Sequence, residues 1–371
     1  MKTTFVLILS LFIANLLYTQ TIPFGTSTDS VETLVSSEEY GSWNNGCSLN
    51  TIITNYEVHY YKPQSYNSVN SPILWYVHGT GGSGADAESR LSDIADRKNA
   101  LIVAPTLDNV DNNTWNSVRA VGRDSSGCSH IFWLVPVFTS IYKHILNRET
   151  RDSIDVYLTG FSMGGQFVSR YMLVRQHFLD SIPIKMAVSL SGASYTFCTD
   201  SLYGIEMPYR CGIAGSGSFP PFGCNNEVKQ YYNENYGVLI GTNDTANFGT
   251  ALPCLDVQGI NRFERAENFY NFSDTNALSR GTTLNWIMDS IQGVGHNSFS
   301  LYSYTAAGDS IPVAERMLFE TPYHPVPDFS PNVAFIYEDS ALTVQFTDIS
   351  QNVDSYWHWD FGDGDSSLIA N

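Results

Sequence analysis

The sequence predicts an α/β fold in which a mainly parallel central sheet is flanked by helices. The main observation is that β-rich runs alternate with helical runs along most of the chain. A second is the aromatic run Tyr56–Tyr61, which stops before Pro63 and predicts an antiparallel first strand. The parallel strands are predicted at Ile73–Val77, Ala100–Ala104, Ile154–Thr159, Lys185–Leu190, Tyr236–Ile240 and Leu284–Ile291. The helices are predicted at Ala85–Lys98, Ile131–Arg148 and Met163–Phe178.

The first 20 residues have the pattern of a secretory signal peptide. Lys2 precedes an apolar run from Phe5 to Leu17, and Asn15 interrupts that run. The run is shorter than the roughly 20 apolar residues that a transmembrane helix needs. Residues 1–20 therefore predict export, with an N-terminal anchor as the alternative, and a secreted, extracellular protein without a stable membrane anchor.

The net charge and the cysteines indicate which partners and which kinds of site are not expected. The formal net charge is −18, so the surface is expected to repel nucleic acid and anionic lipid. The six cysteines contain no Cys-x-x-Cys pair, and no metal site is therefore expected. An even number of cysteines in an exported chain favours disulfides. They are Cys47, Cys128, Cys198, Cys211, Cys224 and Cys254, and the last four predict staples on an insertion.

Proline content predicts where the first domain ends. Residues 321–331 contain the one proline cluster of the chain and are interpreted as a linker between a domain at 21–320 and a smaller one at 332–371. Within the first domain, the stretch from Ser191 to Asn235 is long and rich in glycine and proline. A loop of that length in a compact domain is typical of a lid or a binding loop.

A Gly-x-Ser-x-Gly motif occurs once, as Gly160-Phe-Ser162-Met-Gly164. A predicted strand precedes it and a predicted helix follows it, which is the arrangement of a nucleophile elbow. The glycines suit the sharp turn and the close approach of backbone that such an elbow requires. Ser162 is therefore the candidate nucleophile, and the alternative is an ordinary glycine-rich loop between a strand and a helix.

A second glycine-rich loop, His78-Gly-Thr80-Gly-Gly82, follows the strand Ile73–Val77. We expect the backbone N–H groups of Thr80 and Met163 to form an oxyanion hole. A phosphate-binding loop is the alternative, but the Gly-Lys-Ser/Thr ending of a P-loop is missing. His78 is expected to have a structural role, bonded to nearby backbone.

The candidate base and acid follow in the chain order of this kind of site. His296, in Val294-Gly-His296-Asn297, comes after the last predicted strand and is the candidate base. Asp244 follows the strand Tyr236–Ile240 and is the candidate acid, with Asp256 and Asp274 as competitors. The order Ser162, Asp244, His296, each after a strand, predicts a hydrolase.

From about Tyr56 to Phe319 the chain resembles the secreted esterases of the α/β-hydrolase fold, such as polyhydroxybutyrate depolymerases, feruloyl esterases and relatives of dienelactone hydrolase. The resemblance rests on the loop His78–Gly82, the motif Gly160–Gly164 and the segment Gly293-Val-Gly-His296. It implies ester hydrolysis through an acyl-enzyme, without a metal or organic cofactor. The implied substrate is an ester, including a polymeric or aromatic one such as a polyester or a feruloylated polysaccharide. Candidate contacts to such a substrate are Trp115, Tyr195, Phe197, Phe219 and Phe222, with core or lid packing as the alternative.

The segment after the linker resembles the first half of a polycystic-kidney-disease (PKD) domain, a β-sandwich. The resemblance rests on Val344–Asp348 and on the run Trp357–Gly364, which ends in a Gly-Asp-Gly turn. The resemblance implies a secreted enzyme that acts on a polymer, since PKD-like modules commonly accompany such enzymes. Two other functions are compatible with the sequence: a serine peptidase of the prolyl-oligopeptidase type, and a non-catalytic surface-binding protein on a hydrolase scaffold.

Overall fold

The fold was analysed in a computed structural model, which describes residues 21–36, 51–107, 115–123, 129–178, 180–214, 225–246 and 252–320. Four short segments near the end of the chain are also described: 329–331, 346–348, 359–360 and 366–367. The chain divides into two compact units, residues 1–319 and residues 320–371.

An eight-stranded sheet forms the centre of the first unit. Its strands are β1 (Gly25–Ser36), β2 (Thr51–Lys62), β3 (Ile73–Val77), β4 (Leu101–Pro105), β7 (Val156–Phe161), β8 (Ile184–Leu190), β11 (Tyr236–Gly241) and β12 (Trp286–Ile291). Their order in the sheet is β1-β2-β4-β3-β7-β8-β11-β12. The pairs β1–β2 and β2–β4 are antiparallel, and the remaining neighbours are parallel. The fold class predicted from the sequence is therefore confirmed.

The helices of the first unit lie between these strands or after them. They are α1 (Asp86–Lys98), α2 (Val135–Glu149), α3 (Met163–Phe178), α4 (Asn225–Asn233), α5 (Pro253–Asp256), α6 (Arg262–Ser279), α7 (Ser298–Ser303) and α8 (Val313–Phe319). Local sequence accounts for several of their ends. Helix α1 has acidic residues in its first turn and ends at Asn99, whose φ of 54° lies in the left-handed region. Helix α6 begins after Asn261, whose side chain accepts a hydrogen bond from the Glu264 amide.

One predicted helix is wrong at its start. The helix expected at Ile131–Arg148 begins at Val135. The residues before it form strand β6 (Ser129–Trp133), which pairs with strand β5 (Arg119–Arg123) in an antiparallel hairpin. The run Ile131-Phe-Trp133 favours a strand, and Pro136 is placed in the first turn of the helix, where proline is tolerated.

The hydrophobic core lies on both faces of the sheet. Every residue of β3, β4 and β11 is buried, as expected for central parallel strands covered by helices on both sides. One apolar cluster includes Trp75 and Phe138, whose rings stack with centroids 4.8 Å apart. A second cluster, on the other face, includes Leu91 and Leu318. Neither face of the central strands is available to solvent, so only the strand ends can carry a site.

The insertion that begins at Ser191 is tied to the rest of the first unit at several points. Gln258, which is fully buried, accepts a hydrogen bond from the Tyr195 amide and donates one to the Tyr195 carbonyl. Arg265 donates to the carbonyl of Ala193. A disulfide joins Cys211 to Cys254. A short hairpin of two-residue strands, β9 (Ser201–Leu202) and β10 (Ile205–Glu206), lies between Tyr195 and Cys211.

The disulfide partly agrees with the expectation of staples on the insertion. Cys211 and Cys254 are joined, whereas Cys198 is buried as a free thiol. The other three cysteines, Cys47, Cys128 and Cys224, lie outside the described residues.

Removing the disulfide is expected to destabilise the domain. The bond closes a sequence separation of 43 residues, for which the chain-entropy estimate is about 4 kcal/mol. We expect the double variant Cys211→Ser/Cys254→Ser to lower the free energy of unfolding by about 2–4 kcal/mol, measured by urea denaturation. Cys198→Ala is the control, since it removes a buried thiol that closes no loop. Equal midpoints for the double variant and the wild type would contradict the prediction.

In the second unit, the described residues form two short antiparallel pairs. Strand β13 (Phe329–Pro331) pairs with β14 (Phe346–Asp348), and β15 (Trp359–Asp360) pairs with β16 (Ser366–Ser367). The PKD-like interpretation of this segment stays a prediction.

Within the described part of the chain, no helix is both long enough and apolar enough to cross a membrane. The predicted signal peptide, residues 1–20, lies outside the described part of the chain.

Candidate active site

The candidate residues lie at one edge of the sheet because each follows a parallel strand. Thr80 follows β3, Ser162 follows β7, Asp244 follows β11 and His296 follows β12. The carboxyl ends of parallel strands meet at the same edge, which is where open α/β sheets carry their sites. Residues far apart in the sequence are thereby brought within hydrogen-bonding distance of each other.

Ser162 sits in a strained turn between β7 and α3. Its φ is 56°, in the left-handed region that non-glycine residues seldom adopt. The turn depends on two close backbone approaches. A Cβ atom at Gly164 would lie 2.0 Å from the Val77 carbonyl oxygen, and one at Gly165 would lie 2.5 Å from the Leu190 carbonyl oxygen. The geometry is that of a nucleophile elbow, in which the serine hydroxyl is held out at the strand end.

A continuous chain of hydrogen bonds joins Ser162, His296 and Asp244. The Ser162 Oγ and His296 Nε2 atoms are 3.0 Å apart, and His296 Nδ1 lies 2.7 Å from Asp244 Oδ2. A carboxylate only accepts, so Nδ1 carries the imidazole proton and Nε2 is left to accept from the serine hydroxyl. The Phe161 ring packs against the imidazole, with the centroids 4.6 Å apart. This arrangement can remove a proton from Ser162.

Asp244 is enclosed and has a second partner. Its side chain has no exposed surface, and its Oδ1 accepts a hydrogen bond of 3.2 Å from Arg262 on α6. Each carboxylate oxygen is therefore bonded to a different side chain, which fixes the rotation of the carboxylate plane. The competitors weighed for the acid lie elsewhere, Asp256 on α5 and Asp274 on the exposed face of α6.

Arg262 was not found by motif analysis, and we expect it to position Asp244. Replacing it with methionine would leave Asp244 Oδ1 buried without its charged donor, and kcat should fall about 10- to 100-fold. Arg262→Lys should recover part of the loss because it restores a cationic donor. The matched control is Arg316→Met, which removes an arginine paired with Asp289 and Asp309 away from the site. A wild-type kcat in Arg262→Met would contradict the assignment.

The two residues proposed for the oxyanion hole are in contact. The Thr80 hydroxyl donates to the Met163 sulfur at 3.1 Å. The loop also passes beside the serine, since a Cβ atom at Gly79 would lie 3.6 Å from the Ser162 Cβ. The backbone N–H groups of Thr80 and Met163 have no acceptor among the described residues. Both amides can therefore donate to an oxygen held above Ser162.

His78 has the structural role expected from the sequence. Its ring is fully buried, with Nδ1 2.8 Å from the Gly79 carbonyl, while Nε2 accepts from the Leu107 amide at 3.0 Å. These bonds connect the loop after β3 to the end of β4.

The structure places three of the candidate substrate-binding aromatics inside the core. Trp115 is 2% exposed and packs near the His78 ring, and Tyr195 is fully buried and stacks on Phe269. Phe197 is 1% exposed and packs on the same Phe269 ring. Their surfaces are covered by protein, which corresponds to the packing alternative. Phe219 and Phe222 lie outside the described residues. Among the described residues, no group of three or more His, Cys, Asp or Glu side chains could hold a metal ion.

Comparison with solved structures identifies the fold of the chain. No family model matches the chain, and no curated protein matches it. Among solved structures, LpqC, a poly(3-hydroxybutyrate) depolymerase from Bordetella parapertussis, is 25% identical with a TM-score of 0.55, over 67% of this chain and 83% of that one. Poly(aspartic acid) hydrolase-1 from Sphingomonas sp. KT-1 is 19% identical with a TM-score of 0.59, over 81% of this chain and 100% of that one. This chain has the α/β-hydrolase fold.

Proposed function

We propose that this protein is a serine hydrolase of carboxylic esters, with Ser162 as nucleophile, His296 as base and Asp244 as acid. The observation that carries the proposal is the hydrogen-bonded chain from Ser162 Oγ through His296 to Asp244 at the carboxyl edge of the sheet. The strained φ of Ser162 supports the same role, because strain of this kind is concentrated at functional sites.

The reaction follows from the placement of these groups. His296 Nε2 takes the hydroxyl proton as Ser162 Oγ attacks the ester carbonyl carbon, and Asp244 stabilises the imidazolium that forms. The carbonyl oxygen gains negative charge and accepts hydrogen bonds from the Thr80 and Met163 amides. The C–O bond to the alcohol then breaks, and the alcohol leaves with the proton from His296. Water, deprotonated by the same imidazole, releases the acid and regenerates Ser162.

An ester substrate is supported by the likeness to LpqC, a poly(3-hydroxybutyrate) depolymerase. We further propose that the substrate is a polymeric or aromatic ester. We include export in it, supported by the N-terminal pattern of residues 1–20 and by the Cys211–Cys254 disulfide. The domain limits 21–320, 321–331 and 332–371 and the PKD-like assignment belong to the same proposal.

The test is hydrolysis of p-nitrophenyl esters of increasing chain length, together with labelling by a fluorophosphonate probe. The proposal expects turnover and a single label on Ser162, both lost in Ser162→Ala. A folded wild-type protein that neither hydrolyses an ester nor takes up the probe would overturn it. Labelling of Ser162 together with cleavage of aminoacyl anilides but not of esters would point to a peptidase instead.

A further inference from the structure

A buried arginine on the helix that follows Ser162 has no acidic partner among the described residues. Arg170 is 1% exposed, and its guanidinium donates to five neutral oxygens: Thr196 Oγ1, Ser194 Oγ, Gln166 Oε1 and the carbonyls of Asn116 and Arg210. Desolvation lowers the pKa of Arg170 to about 10. All of its N–H capacity is used within the protein, so Arg170 cannot bind substrate itself. Arg170 therefore acts by fixing the orientation of the groups that accept its hydrogen bonds.

Gln166 is the acceptor whose orientation matters most. Its Oε1 accepts from three donors, Arg170 at 3.2 Å, Ser194 at 3.0 Å and the Asn116 amide at 3.3 Å. Arginine only donates, so the atom of Gln166 that faces it must be the carbonyl oxygen. The Nε2 group then points away from all three. Among the described residues it has no acceptor, and it is not one of the enclosed unpartnered atoms.

Gln166 lies one helical turn after the candidate nucleophile. Gln166 is four residues after Ser162, and its backbone N–H donates to the Ser162 carbonyl at 3.0 Å. Residues four apart share a helix face, and helical side chains lean toward the N-terminal end, which here is the Ser162 end. Gln166 is 8% exposed, so one small part of it reaches solvent. The fixed NH₂ group belongs to that part, because among the described residues it has no acceptor and it is not an enclosed atom.

We propose that the Gln166 side-chain amide is a substrate-binding donor that selects esters carrying a second oxygen acceptor close to the scissile carbonyl. This inference rests on the proposed function and names the substrate class of the same site. A polyester of hydroxy acids has an ester oxygen on both sides of every scissile bond, and hydroxyacyl or alkoxyacyl esters have one on the acyl side. A plain alkyl ester has none. When a bound substrate displaces water from an oriented donor, the site discriminates against a ligand that leaves the donor unpaired.

The variant that isolates the donor is Gln166→Glu. Its carboxylate has the shape of the amide and still accepts from Arg170, Ser194 and Asn116, but it cannot donate. Gln166→Met removes the acceptor as well. It is expected to lower the melting temperature because the donors of Arg170, Ser194 and Asn116 lose their acceptor. The melting temperature of each variant and the fraction labelled by a fluorophosphonate probe separate loss of folding from loss of recognition.

Two pairs of isosteric esters test which side of the substrate the amide contacts. On the acyl side, p-nitrophenyl methoxyacetate is compared with p-nitrophenyl butyrate; on the alcohol side, 2-methoxyethyl acetate is compared with butyl acetate. The readout is the ratio of kcat/KM within each pair, divided by the same ratio for the wild type, which cancels the intrinsic reactivity of the esters and any general effect of the new charge.

For Gln166→Glu we expect this ratio to fall by about tenfold in one pair and to stay near one in the other, as loss of a hydrogen bond of about 1.4 kcal/mol predicts. Normalised ratios near one for both pairs, in a folded and labelled variant, would overturn the inference while leaving the esterase in place. Absence of turnover by the wild type on all four esters would instead refute the proposed function.

Discussion

Replacing Asp244 by asparagine is expected to lower kcat on the best ester substrate by about 10⁴-fold, as in other enzymes with this kind of triad. Asp244 Oδ2 accepts from His296 Nδ1 at 2.7 Å, and the Asp244 side chain has no exposed surface. An asparagine can donate its own N–H to Nδ1, which moves the imidazole proton to Nε2 and removes the base that faces Ser162. Water cannot substitute for the lost carboxylate because the position is enclosed.

The two aspartates that competed for this role provide matched controls. Asp256→Asn and Asp274→Asn make the same chemical change outside the hydrogen-bonded chain, and each should retain kcat within about threefold of the wild type. Steady-state kinetics on one p-nitrophenyl ester, with active sites counted by fluorophosphonate, compares the three variants directly. A large loss in Asp256→Asn or Asp274→Asn, with Asp244→Asn near wild type, would show that the acid has been assigned to the wrong residue.

Adding a single methyl group at Gly164 is expected to prevent the domain from folding stably. The Cβ atom of Gly164→Ala would lie 2.0 Å from the Val77 carbonyl oxygen and 2.7 Å from that of His78. Both neighbours are backbone atoms at the end of a fully buried strand, so no side chain can rotate to make room. Forcing β3 and α3 apart should cost about 4 kcal/mol or more, at the upper end of what point substitutions cost.

The matched control is Gly295→Ala, because among the described residues a Cβ atom at Gly295 would have only the Asn243 carbonyl oxygen, at 3.7 Å, as a neighbour. We expect Gly164→Ala to be recovered mainly as insoluble protein, or with a melting temperature lowered by 10 °C or more as an order-of-magnitude estimate. Gly295→Ala should melt close to the wild type. A Gly164→Ala protein with a wild-type melting temperature would mean that the elbow packs less tightly against β3 than the structure shows.

Much of the fold could be predicted because the relevant signals are local. The strand Ile73–Val77 and the helix Met163–Phe178 have the predicted bounds, since a buried apolar run and the turn residues beside it are visible in the sequence. Strand β1, by contrast, was not predicted. Its residues Gly25–Ser36 are largely polar, and it exists because it pairs along its whole length with β2.

In the candidate site, too, some residues can be predicted from local sequence and others depend on tertiary packing. Ser162, Asp244 and His296 could be found from chain order, since each comes just after a strand and parallel strands share one edge. Arg262 could not be found, because its contact with Asp244 depends on how α6 packs and no motif precedes it. Gln166 is an intermediate case. Its spacing of four from Ser162 is visible in the sequence, but two of the three donors that orient it come from 50 residues upstream and 28 residues downstream.

The attachments of residues 191–214 have a kinetic consequence. Gln258, Arg265 and the Cys211–Cys254 bond tie them on one side, and Arg170 ties them on the other. A lipase with a hinged cover accelerates when its substrate forms droplets, because the oil–water boundary holds the cover open. The described residues 191–214, held at these points, provide no such step, and we expect the rate to rise smoothly with ester concentration across the solubility limit of the ester.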